Sequence, residues 1–318
     1  MREVSIVIPN YNGKHFLKDC LEAVFAQDIK DQEVIVVDNG STDGSLEYLE
    51  SYPAVRVIVL DKNYGFCRAV NEGIKAADSE YVILLNNDTE VDKNFAKELL
   101  TAIKADQRIF SCSSKMIQFH NREFMDDAGD YYCALGWAFG RGKGGSVKNY
   151  EDETDVFAAC AGAAVYRKEL IEKLGYFDEA HFAYLEDVDI GYRARIHGYR
   201  NVYAPKAVVY HVGSGFSGST HNAFKVKLSS RNNIYLAYKN MPLLQILLNS
   251  PLLILGHVVK WLFFLKKDLG KEYIAGVKEG FALCKKDKKV RFLWKNLPNY
   301  IVIQLELWLN TVRRLKKN

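Results

Sequence analysis

The sequence predicts an α/β fold, a mostly parallel sheet flanked by helices, followed by an amphipathic helical extension at the C-terminal side. Three observations carry that prediction. Four apolar runs alternate with four segments of helical spacing, the order in which parallel strands and crossover helices follow one another. Each run is a near-continuous series of Val, Ile and Leu, so both sheet faces are covered. Charge then changes sign: residues 1–225 carry 25 Lys and Arg against 34 Asp and Glu, while residues 226–318 carry 18 against 5. The break divides the chain into an α/β domain, 1–225, and a basic extension, 226–318, whose partner is expected to be an anionic surface.

The elements follow in order. "EVSIVIPNYNG" (Glu3–Gly13) is a buried strand ending in turn residues, and "KHFLKDCLEAVFAQ" gives a helix with Phe16, Leu17, Leu21, Val24 and Phe25 at helical spacing. "EVIVVDNGSTDGSLEYLESY" repeats strand, Asn-Gly turn and helix, with Asp43 or Ser45 as the cap. "VRVIVLDKNYGFCRAVNEGIKAADS" and "EYVILLNNDTEVDKNFAKELLTAI" are the third and fourth units. From Cys112 to about Asp155 the pattern is irregular, and "GWAFGRGKGG" reads as a mobile loop. Order returns with a small-residue strand in "FAACAGAAVYR", a helix over Lys168–Leu174, a helix opening near Glu186, and strands at Arg200–Tyr203 and Ala207–His211. The six cysteines show no CxxC spacing, which points to a reducing, cytosolic compartment. A strand begins within three residues of Met1, so no signal peptide is expected.

After Lys225, "PLLQILLNSPLLILGHVVKWLFFLKK" is apolar but interrupted by Gln245, Asn249, Pro251, Gly256, His257 and Lys260. No uninterrupted span of about 20 apolar residues remains. The polar positions fall on one side and the leucines on the other, the layout of a helix lying in a membrane interface. Basic clusters at Lys266–Lys267, Lys285–Arg291 and Arg313–Lys317 flank it. The competing reading is a packing or oligomerisation arm. Nucleic acid is not expected as a partner, because the clusters flank leucine-rich helices rather than aromatic stacking platforms.

In parallel α/β sheets, ligands bind beyond the carboxyl ends of the strands. Those ends carry Pro9–Asn10–Tyr11, Asp38–Asn39–Gly40, Asp61 and Asn63, and Asn87–Asp88. No GxGxxG or GxxxxGK[ST] stands at these turns, which counts against dinucleotide oxidoreductases and P-loop kinases. Asn86 to Thr89 suits helix capping, and the unpaired Asp88 equally suits a hard divalent cation that wants carboxylate and phosphate oxygens. The residues alone leave both readings open. "YLEDVDIGYRARIHGY" places Glu186, Asp187 and Asp189 within four residues. Either they form an acidic first helical turn with an Asp189–Arg193 pair, or crowding raises a carboxyl pKa and Asp187, about 100° off the shared face, acts as a base. His211 ends a strand; it is either a hydrogen-bonded structural residue or a metal ligand, better suited to Mn²⁺ than to Ca²⁺.

Seven blocks in order, "VSIVIPNYNG", "VIVVDNGSTDGS", "NYGFCRAVNEGI", "YVILLNNDTEVD", "GAAVYRKELIEKLGYFDE", "YLEDVDIGYRARIHGY" and "PKAVVYHVGSGFS", resemble family 2 glycosyltransferases over residues 3 to about 217. The nearest likeness is to bacterial rhamnosyltransferase-like enzymes of cell-surface polysaccharide synthesis. The resemblance implies a GT-A fold with a Rossmann-like sheet and an inverting, metal-dependent transfer. The donor would be a UDP- or dTDP-sugar, dTDP-rhamnose among them, and the acceptor a hydroxyl of a glycan. The apolar face and charge excess of the C-terminal arm, rather than the resemblance, lead to the expectation of a peripheral position at the inner face of the cell membrane and of a lipid-linked oligosaccharide acceptor. "NND" stands where the family has DxD, so Asp88 is the implied ligand of Mn²⁺ or Mg²⁺, with Asn87 contributing and His211 at the later metal position. Asp38 falls where the family's acid receives a pyrimidine N–H. Pro9, Asn10 and Tyr11 would line base and ribose, and Asp61, Asn63, Gly65 and Arg68 would flank the nucleotide. Asp187 is the implied base, with Glu186 holding an acceptor hydroxyl or orienting Asp187. A nucleotidyltransferase would need a glycine-rich basic first turn, which "PNYNGKHF" lacks. A catalytically inactive sugar- or lipid-binding scaffold is the remaining alternative.

Overall fold

The computed structural model describes residues 2–29, 31–213 and 222–316. The tail of the last sequence block, 214–217, and Lys317 of the final basic cluster lie outside them. The first half runs β1 (Arg2–Asn10), α1 (Lys14–Phe25), β2 (Gln32–Asp38), α2 (Ser45–Leu49), β3 (Val55–Val59), α3 (Phe66–Ala76) and β4 (Ser79–Leu85). Then come β5 (Thr89–Val91), α4 (Phe95–Lys104), β6 (Ile109–Gln118), β7 (Met125–Asp127), β8 (Asp130–Tyr132), β9 (Ala138–Gly140), β10 (Thr154–Val156) and β11 (Ala163–Arg167). The remainder is α5 (Lys168–Leu174), α6 (Glu186–Ile196), β12 (Arg200–His211), α7 (Ala223–Asn240), α8 (Leu243–Leu265), α9 (Gly270–Leu283) and α10 (Leu297–Lys316).

The main sheet has the order β10-β12-β6-β11-β4-β1-β2-β3, with β5 paired to β12 and β7 to β6. Strands β4-β1-β2-β3 are parallel, as are β6 and β12, while β11 is antiparallel to both its neighbours. Alternate residues of β1 enter opposite layers: Val4, Ile6 and Ile8 pack with Leu17, Leu21 and Val24 of α1, while Val7 packs with Val70 and Ile74 of α3. All are fully buried. At about 1.5–3 kcal/mol for each large aliphatic side chain, these two layers fix the strand register that lines up the polar strand ends.

The structure departs from the sequence reading in particular places. The irregular stretch 112–155 carries the end of β6 and the short strands β7, β8 and β9 between turns, and β10 begins at Thr154. Ser111 and Ser114 made β6 look polar, but Ser111 donates to Asn201 Oδ1 at 2.8 Å and Ser114 to the Ala163 carbonyl at 2.7 Å. The stretch around Trp137 is the β8–β9 hairpin, turned by Gly136 at φ +72°. Arg200–Tyr203 and Ala207–His211 form one strand with a register shift around Pro205, which has no N–H to give the ladder. None of Asn86–Thr89 caps a helix. Thr89 starts β5, and α4 is entered through Asp92, whose carboxylate accepts the Asn94 N–H at 3.0 Å.

The charge break at 225 falls within α7. Asn222 caps this helix, accepting the Lys225 N–H at 2.8 Å. α9 packs on α7 through Gly276 and Gly280; a Cβ on Gly276 would sit 2.1 Å from the Lys227 carbonyl oxygen. α8 is long and apolar enough to cross a membrane by length and composition. Its polar side is nevertheless pinned to the rest of the fold. Gln245 accepts from Tyr192 at 2.6 Å, Asn249 exchanges hydrogen bonds with Gln304 of α10, and the Gly256 carbonyl accepts from Trp137 Nε1 at 3.1 Å. The outward sides of α8 and α10 remain apolar and exposed, with Leu244 at 78% and Leu315 at 62%.

Candidate active site

A cavity of about 570 Å³ opens at the carboxyl ends of β1 and β4, and reaches β7–β9, His211 and the start of α6. On one side stand Pro9, Asn10, Tyr11, Asn63, Gly65, Asn87 and Asp88. Asn10 links this wall: its amide donates to Asp38 at 2.9 Å, and its oxygen accepts from Asn87 at 2.7 Å. Asn63 accepts from Asn39 at 3.0 Å and from the Gly65 N–H at 2.9 Å, which sets the turn into α3. Gly65 has φ +88°, and a Cβ there would lie 2.5 Å from the Phe182 carbonyl oxygen, so only glycine fits.

The opposite wall is acidic. Glu186 and Asp187 begin α6, preceded by Phe182, Tyr184 and Leu185, all at positive φ. Such backbone is costly without a side chain that favours it, and is held here from outside. Asn232 of α7 donates to the carbonyls of His181, Ala183 and Tyr184, and Arg231 to those of Ala180 and His181, at 2.7–2.9 Å. Asp189 turns away from the cavity and is consumed by Arg193, Lys239 and Asn240.

Asp187 is joined by two acids that the sequence reading did not single out, Asp127 and Asp130. Burial pushes the Asp187 carboxyl up, opposed by backbone N–H groups of Val188 and Ala161 and by Asp130. Burial, with Asp127 and Asp187 nearby, lifts Asp130 well above the carboxylate range, and burial takes Asp127 to about 7. Asp130 is therefore the protonated partner, able to donate to an ionised Asp187. Glu186 is also raised by burial and by Asp187, and its Oε2 is buried with no hydrogen-bond partner among the described residues.

At the far end of the rim, His211 lies between two carboxylates. Nε2 is 3.3 Å from Asp88 Oδ1, and Nδ1 is 2.7 Å from Asp126 Oδ2. Burial opposes charge on the ring, but Asp126 and Asp88 raise it to about 9. Asp130, Cys160 and Asp187 offer ligand atoms within 4.8 Å of one another. Cysteine sulfur is a soft donor that suits Zn²⁺ rather than Mg²⁺ or Mn²⁺, however. Asp88 and His211 fit a hard divalent cation better.

Residues 5–175 match the model of glycosyl transferase family 2, more than half of the chain. The chain belongs to glycosyl transferase family 2. Among curated relatives, it is 33% identical over 120 residues to a cholesterol galactosyltransferase of Borreliella burgdorferi, covering 37% of this chain and 34% of that one. It is 24% identical over 220 residues to a poly-β-1,6-N-acetyl-D-glucosamine synthase of Staphylococcus epidermidis, covering 65% and 49%. The chain thus spans between a third and a half of the length of these relatives. Its fold is similar to GalNAc-T7 crystallised with UDP, GalNAc and Mn²⁺ (TM-score 0.61, 18% identity, covering 74% of this chain and 48% of that one). It is also similar to S. aureus TarS 1–349 in complex with UDP (0.54, 19%, 79% and 69%). A mannosyltransferase of Pyrobaculum calidifontis with GDP-Man and Mn²⁺ gives 0.53 at 17% identity, over 99% and 87%. The mixed α/β fold with its central, mostly parallel sheet is that of the GT-A structures.

Within the family 2 frame, the structure brings Asp88, Glu186, Asp187 and His211 to one cavity with most of the residues expected for the nucleotide. Three expected contacts stand elsewhere. Asp38 is fully buried behind Asn10, with its oxygens receiving Asn10 and the Ser41 N–H. Asp61 is exposed and off the cavity wall. Arg68 points along α3 to Glu72 at 3.2 Å and across to Glu179 at 3.3 Å, which satisfies its charge away from the cavity. The residues missed, Asp126, Asp127, Asp130 and Lys143, sit in the stretch whose pattern is irregular, Lys143 in the part that read as loop. The available signal was three acids in "MDDAGD" beside apolar Met125 and Ala128.

Proposed function

We propose that this chain is an inverting glycosyltransferase that moves a sugar from a UDP- or dTDP-sugar to a hydroxyl of a glycan or lipid-linked acceptor. The observation behind the reading is that Asp88 and Asp187, almost a hundred positions apart in sequence, line one cavity. The Asn10, Tyr11 and Asn63 side holds the nucleoside, with Asp38 acting through Asn10. Asp88 and His211 would hold Mn²⁺ or Mg²⁺, with Asn87 beside them. Such a cation offsets charge developing on a departing diphosphate. Asp187 takes the proton of the acceptor hydroxyl, whose oxygen bonds to the anomeric carbon as the bond to the diphosphate breaks. That single displacement inverts the centre and needs no protein nucleophile. Asp130, protonated, donates to Asp187 and keeps it ionised, while Glu186 offers its unpartnered oxygen to an acceptor hydroxyl.

The exposed apolar sides of α8 and α10, with the basic clusters, support a role for residues 226–318 as a peripheral anchor on an anionic membrane face, the cytoplasmic one. A lipid-linked acceptor and polysaccharide synthesis are in keeping with such a position.

The test is a panel of UDP-galactose, UDP-GlcNAc, GDP-mannose and dTDP-rhamnose, assayed for hydrolysis with Mn²⁺ or Mg²⁺, beside calorimetric titration of UDP and dTDP. Metal-stimulated turnover of one pyrimidine donor is expected. Nucleotide binding without turnover of any donor, with acceptors supplied, returns the inactive scaffold, and absence of binding defeats both readings.

A further inference from the structure

We propose that Asp126 is a positioning residue for His211: it fixes the imidazole so that Nε2 is the nitrogen turned to the cation held with Asp88. The inference rests on the reading of Asp88 and His211 as a metal-holding pair. Three segments distant in sequence build this arrangement. His211 closes β12, its backbone in register with Thr89 of β5, so its side chain comes beside Asp88. Asp126 is the middle residue of β7, antiparallel to β6, and β6 itself runs alongside β12 up to the His211–Gln118 pair.

The ring therefore has two distinct faces of contact. Asp126 Oδ2 is 2.7 Å from Nδ1, and Asp88 Oδ1 is 3.3 Å from Nε2. A carboxylate on Nδ1 keeps the N–H on that nitrogen, so a ring that gives up its other proton to a cation presents the lone pair of Nε2, on the side of Asp88. Asp126 is not placed to be a ligand beside Asp88, because the imidazole stands between them. Its second oxygen receives Lys143 Nζ at 3.2 Å. Burial works against the Asp126 charge, but His211 and Lys143 hold its carboxyl below the usual range. Asp126 and Lys143 thus form a compensated pair behind the ring, and the charge of Asp88 remains for the cation. Outer residues of this type commonly contribute about 10–100-fold in metal affinity.

Mn²⁺ binding to the full chain, measured by calorimetry and by the electron paramagnetic signal of free Mn²⁺ with UDP present, reads this directly. Asp126→Ala is expected to weaken Mn²⁺ about 10–100-fold. Asp126→Asn keeps an acceptor for the Nδ1–H and is expected to lose less, but at least threefold. Imidazole ¹⁵N spectra of the neutral ring, recorded in alkaline solution without metal, report the tautomer and are expected to show the Nδ1–H form in the parent and a mixture in Asp126→Ala. An Asp126→Ala chain that melts like the parent and binds Mn²⁺ within twofold of it overturns the proposal. Where that variant does not fold, an Asp126→Asn chain with unchanged affinity does the same. A parent chain with no affinity for Mn²⁺ instead removes the metal pair itself, and the positioning role goes with it.

Discussion

The chemistry turns on how four neighbouring acids divide their protons, Asp127 and Glu186 buried and Asp130 and Asp187 half-buried. Asp187 can serve as a base only while ionised, and burial lifts its carboxyl above the ordinary value of about 3.9. The ionised fraction falls as pH drops through that raised value, so the acid limb of kcat should lie above pH 4. Asp187→Asn should abolish transfer, a loss of about 10²–10⁴-fold, while UDP titration stays within a few-fold of the parent. Robust transfer by that variant would remove Asp187 from the role of base. Asp130 gives a sharper contrast. If it works as a neutral donor, Asp130→Asn supplies an N–H in its place and retains more activity than Asp130→Ala. Equal losses in kcat would show that the carboxyl is needed in another form.

At the scale of elements, α7 holds the strained turn that presents Glu186 and Asp187. Asn232→Ala leaves the half-buried Ala183 and Tyr184 carbonyls without their side-chain donor, and the His181 carbonyl with Arg231 as its side-chain donor, at a cost of about 1–3 kcal/mol. A lower melting temperature and a lower kcat, with donor KM nearly unchanged, are expected, because Asn232 does not touch the nucleotide wall. The same helix carries Lys239, which pairs with Asp178 at 2.7 Å and Asp189 at 2.9 Å. Burial opposes the Asp178 charge, but Lys239 and Tyr235 hold its carboxyl down at about 2. Its folded-state value lies below the unfolded one, so its contribution is present above about pH 4. It is lost as pH falls towards 2, a shift that acid denaturation of Lys239→Met should reduce. The parallel half of the sheet was legible because continuous Val, Ile and Leu runs have one physical use, and the strand ends then located Asn10, Asn63 and Asp88. The second half was not, because β6 spends serines inside the core and β7–β9 are three residues each, too short to show a period. Asp126, Asp127 and Asp130 were hidden with them.

For the molecule as a whole, the question is what covers the apolar sides of α8 and α10. Leu244, Leu247, Ile254 and Leu255 on α8, and Val302, Leu305 and Leu309 on α10, are each about half exposed or more. The basic residues divide by position. Lys289 donates to the Tyr238 and Met241 carbonyls and belongs to the fold, whereas Lys285, Lys286 and Lys288 are exposed. Each Lys near an anionic leaflet contributes about 1 kcal/mol, weakened by salt. The full chain should float with vesicles containing anionic lipid and less with zwitterionic ones, and added salt should release it in part. Joint replacement of Lys285, Lys286 and Lys288 by Ala should weaken binding by up to about 100-fold at low salt, while Leu244→Glu with Leu255→Glu should weaken it at every salt concentration. The arm also reaches the cavity: Trp137 of the β8–β9 hairpin bonds to Gly256 of α8, and Arg314 of α10 lies over Phe139, which lines the cavity wall. A Cβ on Gly256 would meet the Leu135 carbonyl oxygen at 2.1 Å, so Gly256→Ala should push α8 off the hairpin. If acceptors arrive from the membrane, that variant should lose transfer to a lipid-linked acceptor more than it loses donor hydrolysis. Equal effects on both would mean that the arm supports the fold alone.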